Sequence, residues 1–148
     1  MPSLASDWNE IVSGFVHLAV AFLLNAIIGW NREQEEHNIG IRAFPIVGMA
    51  SCAYMMVGSG APQVLQGLIT GIGFVGGGAI LKDGPTIKGT ATAASVWSAG
   101  AIGASVAMNH FGMAAMLTLL NLFALRTLLP LKNKLDAAKE SIREDSSK

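Results

Sequence analysis

Three stretches of this chain carry no charge at all: Ile11 to Asn31, Ala43 to Leu81 and Gly89 to Leu125. A soluble helical domain covers itself with a charged or polar face on each helix, and these stretches offer no charged one. A helix of about 20 apolar residues crosses the ~30 Å hydrocarbon core of a bilayer. Broken at their turn residues, the stretches divide into five spans, at 11–29, 44–58, 62–81, 90–108 and 112–131. The runs are continuous rather than alternating, which excludes a barrel of tilted strands. The fold class expected is therefore all-α, a polytopic transmembrane helical bundle of about five spans. The second span is short for a full crossing.

Composition agrees. Charged residues make up 14% of the chain, against about 25% in ordinary soluble domains. Ten Lys and Arg balance ten Asp and Glu, which excludes a basic nucleic-acid binder. Cys52 is the one cysteine, so a disulfide framework and a thiolate zinc site are excluded. No Lys or Arg precedes the first span. It lacks the positive leader of a cleavable signal peptide and reads as a retained helix.

The basic residues set an orientation. Residues 1–10 and the turns at 59–61 and 109–111 hold no Lys or Arg. Arg32 and Arg42 lie between spans one and two, Lys82 and Lys88 between spans three and four, and five basic residues lie in the tail, 132–148. In a five-span arrangement all of these fall on one side, the cytoplasmic one by the positive-inside rule. The N-terminus is then periplasmic and the C-terminus cytoplasmic. Arg126, near the inner end of span five, snorkels to the same headgroups. Trp8, Trp30 and Trp97 fall near span ends, where indoles anchor at the interface; for Trp97 the alternative is a place in the helix packing. In the tail, Leu135, Ala138 and Ile142 keep helical spacing, as an extension of span five or a surface helix.

The third span is rich in glycine. Gly71, Gly73 and Gly76 match G-x-G-x-x-G, but a dinucleotide site needs a preceding strand and an acidic residue about 20 positions on, where Ala91 stands. Gly67 with Gly71, and Gly73 with Gly77, instead form GxxxG pairs that let membrane helices approach closely. Gln63, Gln66, Thr70, Gly73 and Gly77 share a helical stripe. Amides are costly in lipid, so that stripe is expected to face the bundle interior or a subunit interface. Ala94, Ser98, Ala101 and Ser105 form a matching small-residue line on span four, and packing of spans three and four through these faces is expected. His17 and Asn25 lie in span one, His17 near its middle; with Gln66 and Thr70 they are the candidates for a polar path.

Of the loop residues, Glu33, Glu35, Glu36 and His37 are the densest polar cluster. Magnesium takes carboxylates and water, which makes Glu33 and Glu36 weak metal candidates beside the simpler reading of a solvated loop paired with Arg32 or Arg42. Cys52 reads as a small core residue. No nucleophile–base set, H-E-x-x-H or P-loop is present, so neither an enzyme nor a cofactor is expected.

Several segments together carry a family resemblance. Gly71 to Ile80, including Gly76, Gly77 and Gly78, is followed by Lys82-Asp83-Gly84, then Ile87-Lys88-Gly89, Thr92-Ala93-Ala94 and Trp97. Upstream stand Ile28-Gly29, Arg32-Glu33 and Gly40-Ile41-Arg42. In order and spacing, over roughly residues 25–105, this resembles the MgtC/SapB family of bacterial inner-membrane proteins. The chain departs from the family pattern at Asn31, where a Glu is usual, and at Ala43, Gln63, Gly67 and Ala91. Lys82 and Lys88 stand where the family has arginines, and the two residues differ at bidentate sites. Only residues 132–148 follow the last span, so the ACT-like domain of longer relatives is expected to be absent.

The resemblance implies a role rather than a reaction. It implies a regulator of a membrane ATPase, such as the rotary ATP synthase, or of membrane potential, in magnesium or acid stress and in virulence. It also implies that Arg32, Glu33, Gly40, Arg42, Lys82, Asp83, Lys88 and Thr92 are motif positions in contact with a partner or lipid. Expected partners are membrane lipids, a second copy of the chain and another inner-membrane protein. The alternative reading is an oligomeric transporter or channel for a cation or small solute.

Overall fold

The computed structural model describes residues 4–35, 40–59, 61–83 and 86–145. These form five helices and one small hairpin: α1 (Leu4–Glu35), α2 (Ala43–Val57), α3 (Pro62–Gly77), β1 (Leu81–Asp83), β2 (Thr86–Lys88), α4 (Thr90–Ala107) and α5 (Phe111–Asp145). The fold is all-helical apart from the hairpin. Among the described residues two windows, Trp8–Gln34 and Phe111–Leu128, are long and apolar enough to cross a membrane, and Ala43–Val57 is a shorter apolar helix. Phe15, Leu23 and Ile27 on α1 and Leu119, Leu120 and Phe123 on α5 all point outward. An apolar surface of that extent suits lipid and not water.

Helix α4 is the centre of the bundle and touches all four other helices. Its sequence, TATAASVWSAGAIGASVA, explains the position: small residues lie all round it, so neighbours approach from every side. Val96, Ala99, Ile102 and Val106 join Ala21 and Ile28 of α1, Phe44 and Cys52 of α2, Ile72 of α3 and Ala114 and Leu125 of α5 in one core.

The tightest crossing brings together α1, α2 and α4. A Cβ on Gly103 would collide with the Gly48 carbonyl oxygen, and one on Gly48 would strike the Asn25 amide. Helix α3 meets α4 at Ile72 over Gly100, and at Gly76, where a Cβ would lie 3.1 Å from the Ala93 carbonyl oxygen. This corrects the expected pairing. The contact between α3 and α4 runs through Ile72 and Gly76, not through Gly73 and Gly77. Ala94 and Ala101 are exposed and Ser98 half-buried, and only Ser105 of that line is buried. Trp97 is outward, 55% exposed.

Element limits also move. Helix α3 stops at Gly77, short of the expected end at 81. Gly78 caps it through its N–H to Phe74 O, and Ala79 and Ile80 continue the unwinding turn onto Gly76 O and Gly77 O. The segment expected as a loop at 82–89 is an antiparallel hairpin with Leu81 opposite Lys88 and Lys82 opposite Ile87. Helix α5 runs through Pro130 into the tail.

Candidate functional site

The turn between α1 and α2 is built from the motif residues themselves. Glu33 is exposed, yet its Oε2 accepts the Ile41 N–H at 3.2 Å. Gly40 lies so close over Glu33 that a side chain there would meet the carboxylate. Gly29 is just as restricted, with the Gly40 carbonyl oxygen 2.9 Å from where its Cβ would stand. The spacing Gly29, Glu33, Gly40, Ile41 is thus the spacing of a chain reversal clasped by a carboxylate. Glu33→Ala is expected to lower stability by about 1 kcal/mol, read as a lower melting temperature in detergent, with Glu33→Gln keeping part of the loss away.

Arg32 is not at the surface. It is 3% exposed, beside Asn31 at 6%, and Thr92 of α4 is equally buried at 3%. The three belong to the interior, whereas Arg42, Lys82 and Lys88 are exposed. Arg126 is exposed as well. The side chains of Glu35, Asp83 and Thr86 are not described, and Glu36 and His37 lie outside the described residues. Among the described residues no group of three metal-ligating side chains occurs.

The hairpin carrying Lys82 and Lys88 is held at its base by Gly89. This residue caps α4 with a left-handed φ of 82°. A Cβ on it would collide with the Ala79 carbonyl oxygen. Lys88, Gly89 and Thr90 are therefore one basic residue, one glycine that the close approach requires and the first residue of α4.

Helix α3 shows three faces. Ile72 and Gly76 meet α4. Val64, Gly67, Leu68, Gly71, Ile72 and Val75 line a groove of about 450 Å³, closed on the other side by Val47, Ala50, Ser51 and Tyr54 of α2. The third face carries Gln63, Gln66, Thr70, Gly73 and Gly77, all exposed. At Gly67, Gly71, Gly73 and Gly77 a Cβ would meet nothing within 4 Å, so none of them packs a helix of the same chain. At 100° per residue the two GxxxG pairs lie about 120° apart around α3, and they serve different surfaces. The Thr70 hydroxyl is satisfied by the Gln66 carbonyl at 2.9 Å.

The four residues of the expected polar path are not gathered. Gln66 and Thr70 face outward from α3. His17 lies at the end of the bundle and not in its middle: Nε2 meets Asn109 Oδ1 at 2.9 Å in the turn between α4 and α5, Nδ1 meets the Ser13 carbonyl at 2.7 Å, and Phe111 leans against the ring. Asn25 is fully buried at the Gly48 crossing, its Nδ2 donating to Ala21 O. Residues not singled out in the sequence complete this interior. Ser95 donates to Asn121 Oδ1 across α4 and α5 at 3.1 Å. Asn25 Oδ1, Asn31 Oδ1 and Asn121 Nδ2 are buried with no partner. Gly48 had no sequence signal beyond being a glycine within an apolar run.

The MgtC family profile matches residues 18–134, which takes in every motif residue described above. Protein MgtC of Brucella abortus (strain 2308) is 29% identical over 135 residues, 87% of this chain and 57% of that protein. Protein slr0014 of Synechocystis is 31% identical over 131 residues, 84% of this chain and 55% of its own length. Protein SrpB of Synechococcus elongatus is 33% identical over 109 residues, 60% of each chain. The chain thus spans little more than half the length of these relatives. No solved structure matches. With the glycine, arginine and carboxylate positions of its two turns and its third helix all inside the matched region, the chain belongs to the MgtC family.

Proposed function

We propose that this protein is a multi-pass regulator of the bacterial inner membrane that acts through protein contacts and catalyses no reaction. All five helices lie in the membrane, the N-terminus outside and the turns bearing Arg42, Lys82 and Lys88 in the cytoplasm. The observation that carries the reading is the outward stripe Gln63, Gln66, Thr70, Gly73 and Gly77 on α3. Primary amides facing lipid are unfavourable unless another helix covers them, and the glycines let that helix come close. A second copy of the chain covers the stripe, as a homodimer. The regulated partner, a membrane ATPase such as the rotary ATP synthase, meets the exposed basic turns. Growth at low magnesium or low pH is the setting that the family resemblance suggests.

Two measurements test this. Gly73→Leu should turn a dimeric mass in mild detergent into a monomeric one with helicity unchanged; a wild-type monomer, or a dimer that survives the substitution, rejects the interface. Affinity capture from native membranes should recover ATPase subunits with the wild type and lose them with Arg42→Glu. Recovery of no ATPase subunit above a control membrane protein rejects the partner.

A further inference from the structure

The groove between α2 and α3 has a shape and a setting that the dimer does not use. Its lining is apolar: Val47, Ala50 and Tyr54 on one wall, and Val64, Leu68 and Val75 on the other. Gly67 and Gly71 line it as well, and a Cβ on either would have nothing within 4 Å. The ≈450 Å³ volume falls within the roughly 300–1,000 Å³ of sites that hold small molecules. From Val64 to Val75 it runs about 16 Å along the helix axis at 1.5 Å per residue, close to the depth of one leaflet of a ~30 Å hydrocarbon core.

Charge is placed at one end only. Helix α2 begins right after Arg42, and α3 is followed by the strand carrying Lys82. Both side chains are exposed. The nearest described acid on the α1–α2 turn, Glu33, is engaged with the Ile41 N–H. The other end, at Tyr54 and Val64, opens beside Ser59 and Ala61 with no charged residue between 43 and 81. An apolar slot one leaflet deep with cations at a single mouth is complementary to one amphiphile, an acyl chain with an anionic phosphate headgroup.

We infer that the groove between α2 and α3 is a binding site for an anionic phospholipid of the inner leaflet, with one acyl chain along Gly67 and Gly71 and the phosphate between Arg42 and Lys82. The site rests on the membrane placement proposed above, but it lies on a different face of α3 from the dimer stripe. A lipid seated there wedges α2 from α3 and offers the basic turns a defined position.

The test is native mass spectrometry of the full chain in mild detergent, titrated with phosphatidylglycerol or with phosphatidylcholine of the same acyl chains. One phosphatidylglycerol per chain should bind at about a thirtyfold lower concentration than phosphatidylcholine, since each of the two basic residues near the headgroup contributes about 1 kcal/mol. Gly71→Leu fills open space, so the fold tolerates it, and should abolish tight binding of both lipids at unchanged helicity and unchanged dimer mass. Arg42→Gln with Lys82→Gln should erase the headgroup preference and leave phosphatidylcholine binding intact. Equal affinity for the two lipids in the wild type overturns the proposal, as does a Gly71→Leu variant that binds like the wild type. A Gly71→Leu variant that becomes monomeric with lipid binding intact overturns it in favour of a second copy in the groove. Gly73→Leu separates the two readings, because it should break the dimer and leave the lipid in place.

Discussion

Gly103→Ala will destabilise the protein strongly. The new Cβ lands on the backbone carbonyl oxygen of Gly48, with Ser51 Cβ 3.0 Å away. Backbone does not step aside as a flexible side chain does, so α2 and α4 must move apart along their whole contact. Overpacking of a close-packed core costs about 1–3 kcal/mol, occasionally more, and this crossing belongs at the upper end or beyond. The stress reaches α1 as well, because Asn25 rests on Gly48. The expected outcome is a loss of about 3 kcal/mol or more in a denaturant titration in detergent micelles, or failure to accumulate in the membrane. Gly67→Ala is the matched control. It has open space at its Cβ, and alanine is the better helix former by about 0.8–1 kcal/mol. It should be neutral or stabilising.

Gly89→Ala carries the second large effect, and for two reasons at once. An L-residue pays about 1–2 kcal/mol to adopt the left-handed region where Gly89 sits at φ 82°. Its Cβ also collides with the Ala79 carbonyl oxygen. Relief requires the hairpin base to open, which moves Lys82 and Lys88 together. The variant should lose about 3 kcal/mol of stability. If it still folds, it should lose the headgroup preference of the groove while binding phosphatidylcholine normally. Gly89→Asn is the discriminating companion. Asparagine tolerates the left-handed region better than alanine but still carries a Cβ, so near-equal losses from the two substitutions identify the collision, rather than the backbone conformation, as the larger cost.

Much of this architecture was legible from charge placement. The uncharged runs gave five apolar helices in the right order, and the helix starts at Ala43, Pro62, Thr90 and Phe111 lie within two residues of the expected 44, 62, 90 and 112. Periodicity also put Gln63, Gln66, Thr70, Gly73 and Gly77 on one stripe. What it lacked was direction. A helical stripe of glycines and amides reads the same whether it packs inward, lines a path or faces a partner. Gly76, one residue from the stripe, turned out to be the contact with α4, while Gly73 and Gly77 look outward. The hairpin was missed because three-residue strands are too short for a periodic signal. His17 was placed near mid-span by its position within span one, but its bond to Asn109 sets it level with the turn between α4 and α5.

From the sequence alone came the apolar helical runs and the motif residues of the family. Lipid-length runs without charge admit only helices, because backbone groups in hydrocarbon must bond within their own segment. The same residues carried the family pattern. Only the tertiary structure decided which glycines are contacts and which are open, that Arg32 and Thr92 are interior, and that an apolar groove lies between α2 and α3. The reason is physical. Helix formation is a local property of each run, whereas the rotation of each helix about its axis is fixed by where the side chains of its neighbours leave room, as at Gly48, Gly100 and Gly103.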